Sequence, residues 1–151
     1  MIILGLDPGI ARTGYGLVDT SRQHQFIQCG CITTPAGGSI EDRLASVASD
    51  LTKIINMHSP NFAVVEQIFF GANTKTAMAT AHVRGVILYV LQTHSISIQS
   101  LTPLQIKSRL TGYGAASKEQ MQRAVQQQLH LTNIPQPDDA ADALAAALSF
   151  A

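Results

Sequence analysis

Apolar residues alternate or run in short blocks through the first third of the chain, then recur at helical spacing. Ile2 to Asp7, about Thr13 to Asp19 and about Phe26 to Thr33 read as strands, with Asp7-Pro8-Gly9 and Thr20-Ser21-Arg22-Gln23 as turn chemistry between them. That order predicts an antiparallel meander. After Pro35-Ala36-Gly37-Gly38, the apolar positions Ile40, Leu44, Val47, Leu51 and Ile54 lie on a helix, with Ser39 and Asp42 in a capping arrangement. Phe62 to Glu66 reads as a buried strand, about 73–93 as a second helix and Ile96 to Ser100 as another strand. Pro103 opens a helix to about Leu110, Ser117 caps one to about Leu131, and a terminal helix begins at about Asp138. Strands alternating with helices after a meander predict an α/β fold: a mixed five-stranded sheet, antiparallel over strands one to three and parallel over four and five, flanked by helices.

The second helix is apolar on most of its circumference, through Ala72, Ala77, Met78, Ala79, Ala81, Val83, Val86, Ile87, Leu88, Val90 and Leu91. Such a helix is covered on more than one side. Burial within one chain and a two-fold contact between copies both satisfy the pattern.

At 151 residues, 46% of them hydrophobic, the chain suffices for one core, and a single domain over 1–151 is expected. Cys29 and Cys31 alternate on one strand face without a second Cys or His pair, which suits ordinary thiols in a reducing cytoplasm. The start lacks a basic region and cleavage signal, and the apolar stretch Gly85 to Leu91 is far below the roughly 20 residues of a bilayer span. A soluble cytoplasmic protein with no membrane partner is expected. Net charge is zero, but its distribution is uneven: Gln67 to Pro137 holds Lys75, Arg84, Lys107, Arg109, Lys118 and Arg123 against Glu119 alone. A basic middle beside acidic flanks suits a site that attracts phosphates.

Four acids stand in apolar company. Asp7 and Glu66 each end an apolar strand, and Asp139 and Asp142 punctuate an alanine-rich helix three residues apart, on one face. No Lys or Arg is close to them in sequence, and unpaired charges beside apolar surface cost several kcal/mol each. Turn capping, solvent contact at a strand end and the helix dipole each offer a separate explanation. If the first and fourth strands are parallel neighbours, Asp7 and Glu66 emerge at the same carboxyl edge of the sheet, and the face bearing Asp139 and Asp142 would complete a cluster of four there. Two carboxylates about 4 Å apart repel by roughly 4 kcal/mol at an effective dielectric of 20, so such a cluster calls for a cation. An oxygen-only donor set suits Mg²⁺ or Mn²⁺, and His24, His58, His82, His94 and His130 offer no zinc spacing. Two such ions activate water and stabilise the leaving oxygen in attack on a phosphodiester.

The segments Ile3-Leu4-Gly5-Leu6-Asp7-Pro8-Gly9, Thr13-Gly14-Tyr15-Gly16, Glu66-Gln67 with Phe69, Gly112-x-Gly114-x-x-x-Lys118 and Asp139-Ala140-Ala141-Asp142-Ala143-Leu144-Ala145 run in order along nearly the whole chain. Together they resemble the RuvC family of bacterial Holliday-junction resolvases. The resemblance implies an RNase H-like fold, a homodimer, two Mg²⁺ per site and symmetric nicking of two opposed strands of a four-way DNA junction. It further implies preferred cutting within thymine-containing sequences and work alongside the RuvA and RuvB branch-migration proteins in recombination and repair. It maps the acidic site onto Asp7, Glu66, Asp139 and Asp142; Asp138, four residues from Asp142, leaves a second frame open for the last pair.

Lys118 falls in the first turn of a capped helix, where the dipole disfavours a cation. An external phosphate would explain it, with Lys118 and Lys107 as the clamp that makes Lys118 part of the catalytic set; neutralisation by Glu119 would also explain it. Phe69, and less so Phe70, are placed to meet bases, with core packing as the other use. Lys75 and Arg84, with Arg109 and Arg123, are further candidate phosphate contacts. Among other chemistries, no nucleophile elbow is present, and Gly9-x-x-x-x-Gly14 is followed by Tyr15 where a phosphate loop requires Lys. An ATP-binding domain of the actin-like and sugar-kinase type, and a non-catalytic junction-binding protein, stand as the alternatives.

Overall fold

A computed structural model describes residues 1–21, 23–68 and 74–150. The chain forms β1 (Ile2–Asp7), β2 (Arg12–Asp19), β3 (Gln25–Thr33), α1 (Ile40–His58), β4 (Phe62–Glu66), α2 (Thr74–Thr93), β5 (Ser97–Leu101), α3 (Pro103–Thr111), α4 (Lys118–Gln128) and α5 (Asp138–Leu148). The strands make one sheet in the order β3-β2-β1-β4-β5; β1–β2 and β2–β3 are antiparallel, β1–β4 and β4–β5 parallel. The meander and the parallel half are as the sequence predicts.

Two apolar layers enclose the sheet, and strand parity assigns each residue to one of them. Leu4, Leu6, Ala63 and Val65 pack with Val47, Leu51 and Ile55 of α1 and Val83, Ile87, Val90 and Leu91 of α2. Ile3 and Val64 face the other way, onto Ile106, Leu110, Met121, Val125 and Leu144 of α3, α4 and α5. Asp7 and Glu66 share the parity of Ile3 and Val64. The sheet therefore delivers both carboxyls to the α3–α4–α5 side.

At two points helix α5 lies against the strands without intervening side chains. A Cβ at Gly5 would fall 1.9 Å from the Ala143 carbonyl oxygen, and one at Gly14 would fall 2.0 Å from that of Asp139. Small residues on both surfaces permit this approach, which seats the acid-bearing helix directly above the end of β1.

Three details differ from the expectation. Ile55, rather than Ile54, is the buried residue of the last turn of α1. Ile96 is buried ahead of β5, which starts after the left-handed Ser95 (φ 56°). The apolar spacing carries through Leu129 and Leu131, yet α4 ends at Gln128 because His130 adopts φ 52° and turns the chain. The second helix buries only one side within the chain: Met78 and Tyr89 are 64% and 70% exposed, and with His82 and Gly85 they form a continuous outward stripe. Among the described residues no helix is long and apolar enough to cross a membrane.

Candidate active site

The register of β1 and β4, with Leu6 beside Val65, brings Asp7 and Glu66 side by side at the carboxyl ends of adjacent parallel strands. With Asp142 of α5 they line a cleft of about 230 Å³ whose remaining wall is Pro103, Ile106 and Lys107 of α3 and Lys118 and Met121 of α4. Burial, followed by repulsion from Asp142 and Asp139, raises the Asp7 carboxyl to about 7. Burial and then the charges of Asp7 and Asp142 raise Glu66 to about 8, against the opposing pull of Lys107 and Lys118. Asp142 is raised by burial, partly offset by Lys118.

Partners invisible along the sequence appear in space. Lys118 Nζ lies 3.0 Å from Asp138 Oδ2 and 3.4 Å from Asp142 Oδ2. Arg12, at the start of β2, places Nε 2.9 Å from Asp139 Oδ2, a charge pair whose direction is not that of a hydrogen bond. The absence of basic partners, expected from the sequence, is thereby corrected for this end of α5. Burial works against the Lys118 charge, but the hydrogen bonds and charges of Asp138 and Asp142 outweigh it and raise its pKa. These acids answer the misplaced cation at the start of α4 without an external anion. Glu119 pairs instead with Arg123 at 2.6 Å.

The two frames for the last acid pair separate by environment. Asp138 is 54% exposed, accepts from Gln122 Nε2 at 3.1 Å, and is lowered chiefly by its hydrogen bond to Lys118. Asp139 and Asp142 are 27% and 21% exposed. Asp139 Oδ2 and Asp142 Oδ1 are buried oxygens without a hydrogen-bond partner. Carboxylate oxygens without hydrogen bonds beside raised acids, with neither histidine nor cysteine among the residues that line the cleft, fit a hard divalent cation. Among the described residues no three such groups yet converge tightly enough to enclose an ion.

Lys107 lines the cleft, and among the described residues no carboxylate pairs with it. Arg84, expected on DNA, directs Nε to the Glu66 carbonyl oxygen at 3.3 Å and Nη2 to Ser100 Oγ at 2.7 Å. Arg109 likewise turns inward, to the Ser149 carbonyl at 3.1 Å. Phe69 and Phe70 lie outside the described residues, as does the side chain of Lys75. The sequence reading missed Arg12; the Asp7-Pro8-Gly9 turn was the available signal, since it folds the start of β2 back beside Asp7 and beneath α5. Cys29 and Cys31 are unbridged and half-buried, and burial raises both thiols.

A mixed sheet with its meander and parallel half, and carboxylates gathered at the carboxyl end of its first strand, defines an RNase H-like protein with a nuclease-type acidic cleft. The family model described as crossover junction endodeoxyribonuclease RuvC matches residues 3–150. The relative so named from Alkaliphilus oremlandii is 41% identical over 100% of this chain and 93% of its own, and that from Natranaerobius thermophilus is 44% identical over 98% and 92%. The structure of T. thermophilus RuvC in complex with a Holliday junction substrate superposes with a TM-score of 0.93 at 26% identity, over 99% of this chain and 92% of that one. The chain belongs to the RuvC family of crossover junction endodeoxyribonucleases.

Proposed function

We infer that this protein is a structure-specific endonuclease that resolves Holliday junctions in recombination and repair, acting as one nuclease domain over residues 1–151. The observation that carries this reading is the meeting of Asp7, Glu66 and Asp142 with Lys107 and Lys118 around one cleft, in a chain of this family. Asp7, Glu66, Asp139 and Asp142 would hold Mg²⁺, two ions per site with Mn²⁺ as a substitute, supplying a polarised water and charge neutralisation at the phosphodiester.

The remaining work belongs to side chains. Lys107, unpaired by any described carboxylate, takes a non-bridging phosphate oxygen and orients the scissile group. Lys118 shares its charge between Asp142 and the developing negative charge on phosphate, which qualifies it as catalytic. Hydrolysis joins the water oxygen to phosphorus as the bridging P–O bond breaks. Phe69 contacts a base near the cut and Lys75 the backbone.

The outward stripe of Met78, His82, Gly85 and Tyr89 supports a homodimer, because apolar surface of this kind on α2 gains cover from a second copy. Two sites related by a two-fold axis then nick two opposed strands, in the cytoplasm and alongside RuvA and RuvB. The test is strand-specific cleavage of a synthetic four-way junction in Mg²⁺ with linear duplex as control. Paired symmetric nicks confined to the junction are expected; equal activity on duplex would replace this reading with that of a general nuclease.

A further inference from the structure

Glu66 is the last residue of β4, and the ladder that holds its backbone runs out there. Gln67 N–H still donates to the Leu101 carbonyl at 2.8 Å. On the other side β1 runs into Pro8, which has no N–H to offer. Among the described residues the donor to the Glu66 carbonyl comes from a side chain on another element: Arg84 of α2, half-buried, at 3.3 Å. The same guanidinium reaches Ser100 Oγ of β5 at 2.7 Å, and Ser100 is the register partner of Val65. One planar group thus spans the ends of two strands and ties both to the helix above them. A fork of fixed geometry suits that task better than a flexible ammonium.

We propose that Arg84 is a positioning residue for the cleavage reaction, holding the carboxyl end of β4 so that Glu66 keeps its place beside Asp7. The proposal deepens the resolvase reading and, for its kinetic part, rests on it. It departs from the simpler use of Arg84 as a phosphate contact. Errors of about 1 Å in a reacting constellation cost on the order of 100-fold in rate, so a backbone clamp behind a metal-binding carboxylate is felt in turnover and not in binding.

Three variants test it: Arg84→Met, Arg84→Lys and Ser100→Ala, each measured for junction affinity without divalent metal, single-turnover cleavage at saturating enzyme, and amide hydrogen exchange of the segment 62–68. Arg84→Met is expected to bind the junction as the parent does, to cut about 10- to 100-fold more slowly, and to exchange faster at the end of β4. Arg84→Lys, which keeps one donor, recovers part of the rate, and Ser100→Ala falls between it and the parent. Weakened binding with an unchanged saturated rate would make Arg84 a DNA contact and overturn the proposal. Unchanged exchange across 62–68 would overturn it as well. Should Arg84→Met not fold, the Lys and Ala variants decide, and parent-like rates in both refute the clamp. A parent protein that cuts no junction would count against the resolvase reading, while the exchange measurement still decides the role of Arg84.

Discussion

Lys118 Nζ lies 3.4 Å from Asp142 Oδ2, which turns the cation at the start of α4 onto the acid cleft while about half of its side chain, 52%, stays exposed. Lys118→Ala is expected to bind a four-way junction normally without metal and to cut it about 100- to 1,000-fold more slowly, the scale of one lost charge-stabilising donor. Loss of binding with unchanged single-turnover cleavage at saturation would assign Lys118 to affinity alone.

The raised acids make metal-free stability depend on pH with a definite sign. Asp7 stands at about 7 against an ordinary 3.8, and Glu66 at about 8 against 4.5. A carboxyl raised in the folded state binds protons more tightly than in the unfolded chain, so its contribution is complete below pH 4 and is lost as pH rises to about 8. In chelator, the melting temperature should fall across that window. Asp7→Asn, neutral throughout, should melt above the parent at pH 8 by about 3 °C or more while losing cleavage. A flat parent profile from pH 4.5 to 8 would contradict the buried placement of these acids.

Added Mg²⁺ should reverse that loss at pH 8, stabilising by about 2.7 kcal/mol at a hundredfold excess over its dissociation constant. The effect should vanish in the double variant Asp7→Asn with Glu66→Gln. Retention of the full shift there would locate the ion elsewhere.

Arg12 competes with any cation for Asp139, 2.9 Å away. Arg12→Gln should therefore lower the Mg²⁺ concentration that half-saturates cleavage, by about two- to fivefold for a partly exposed charge. A higher requirement would mean that Arg12 orients Asp139 for metal and does not compete for it.

Tyr89→Glu places a charge at the carboxyl end of the outward stripe of α2. Sedimentation should then report a monomer, and paired nicking should give way to uncoordinated single nicks. A dimer that survives the change would move the interface off this helix.

Much of the layout is legible along the chain because it is local. Alternation fixed which strands pair as a meander, and the apolar runs ending in Asp7 and Glu66 identified both acids. The side-chain partnerships were not legible, since Lys118 and Asp142 are joined only by the packing of α4 on α5, and Arg84 reaches a carbonyl 18 residues away. Asp138 and Asp139 are neighbours of the same type, and their chemistry parts only in space: Asp138 is 54% exposed on Lys118 and Gln122, and Asp139 is 27% exposed beside Arg12.

At Gly5 and Gly14, α5 meets the strands backbone to backbone, with no side chain between them. Gly14→Ala should accordingly cost about 1–3 kcal/mol and displace Asp139 and Asp142 together. An ordinary helix–sheet interface carries a cushion of rotatable side chains that absorbs error; here the last helix rests on main chain at Asp139 and at Ala143, at one of its acids and next to the other. At those two points the separation of α5 from the strands is set by main-chain atoms that have nowhere else to go.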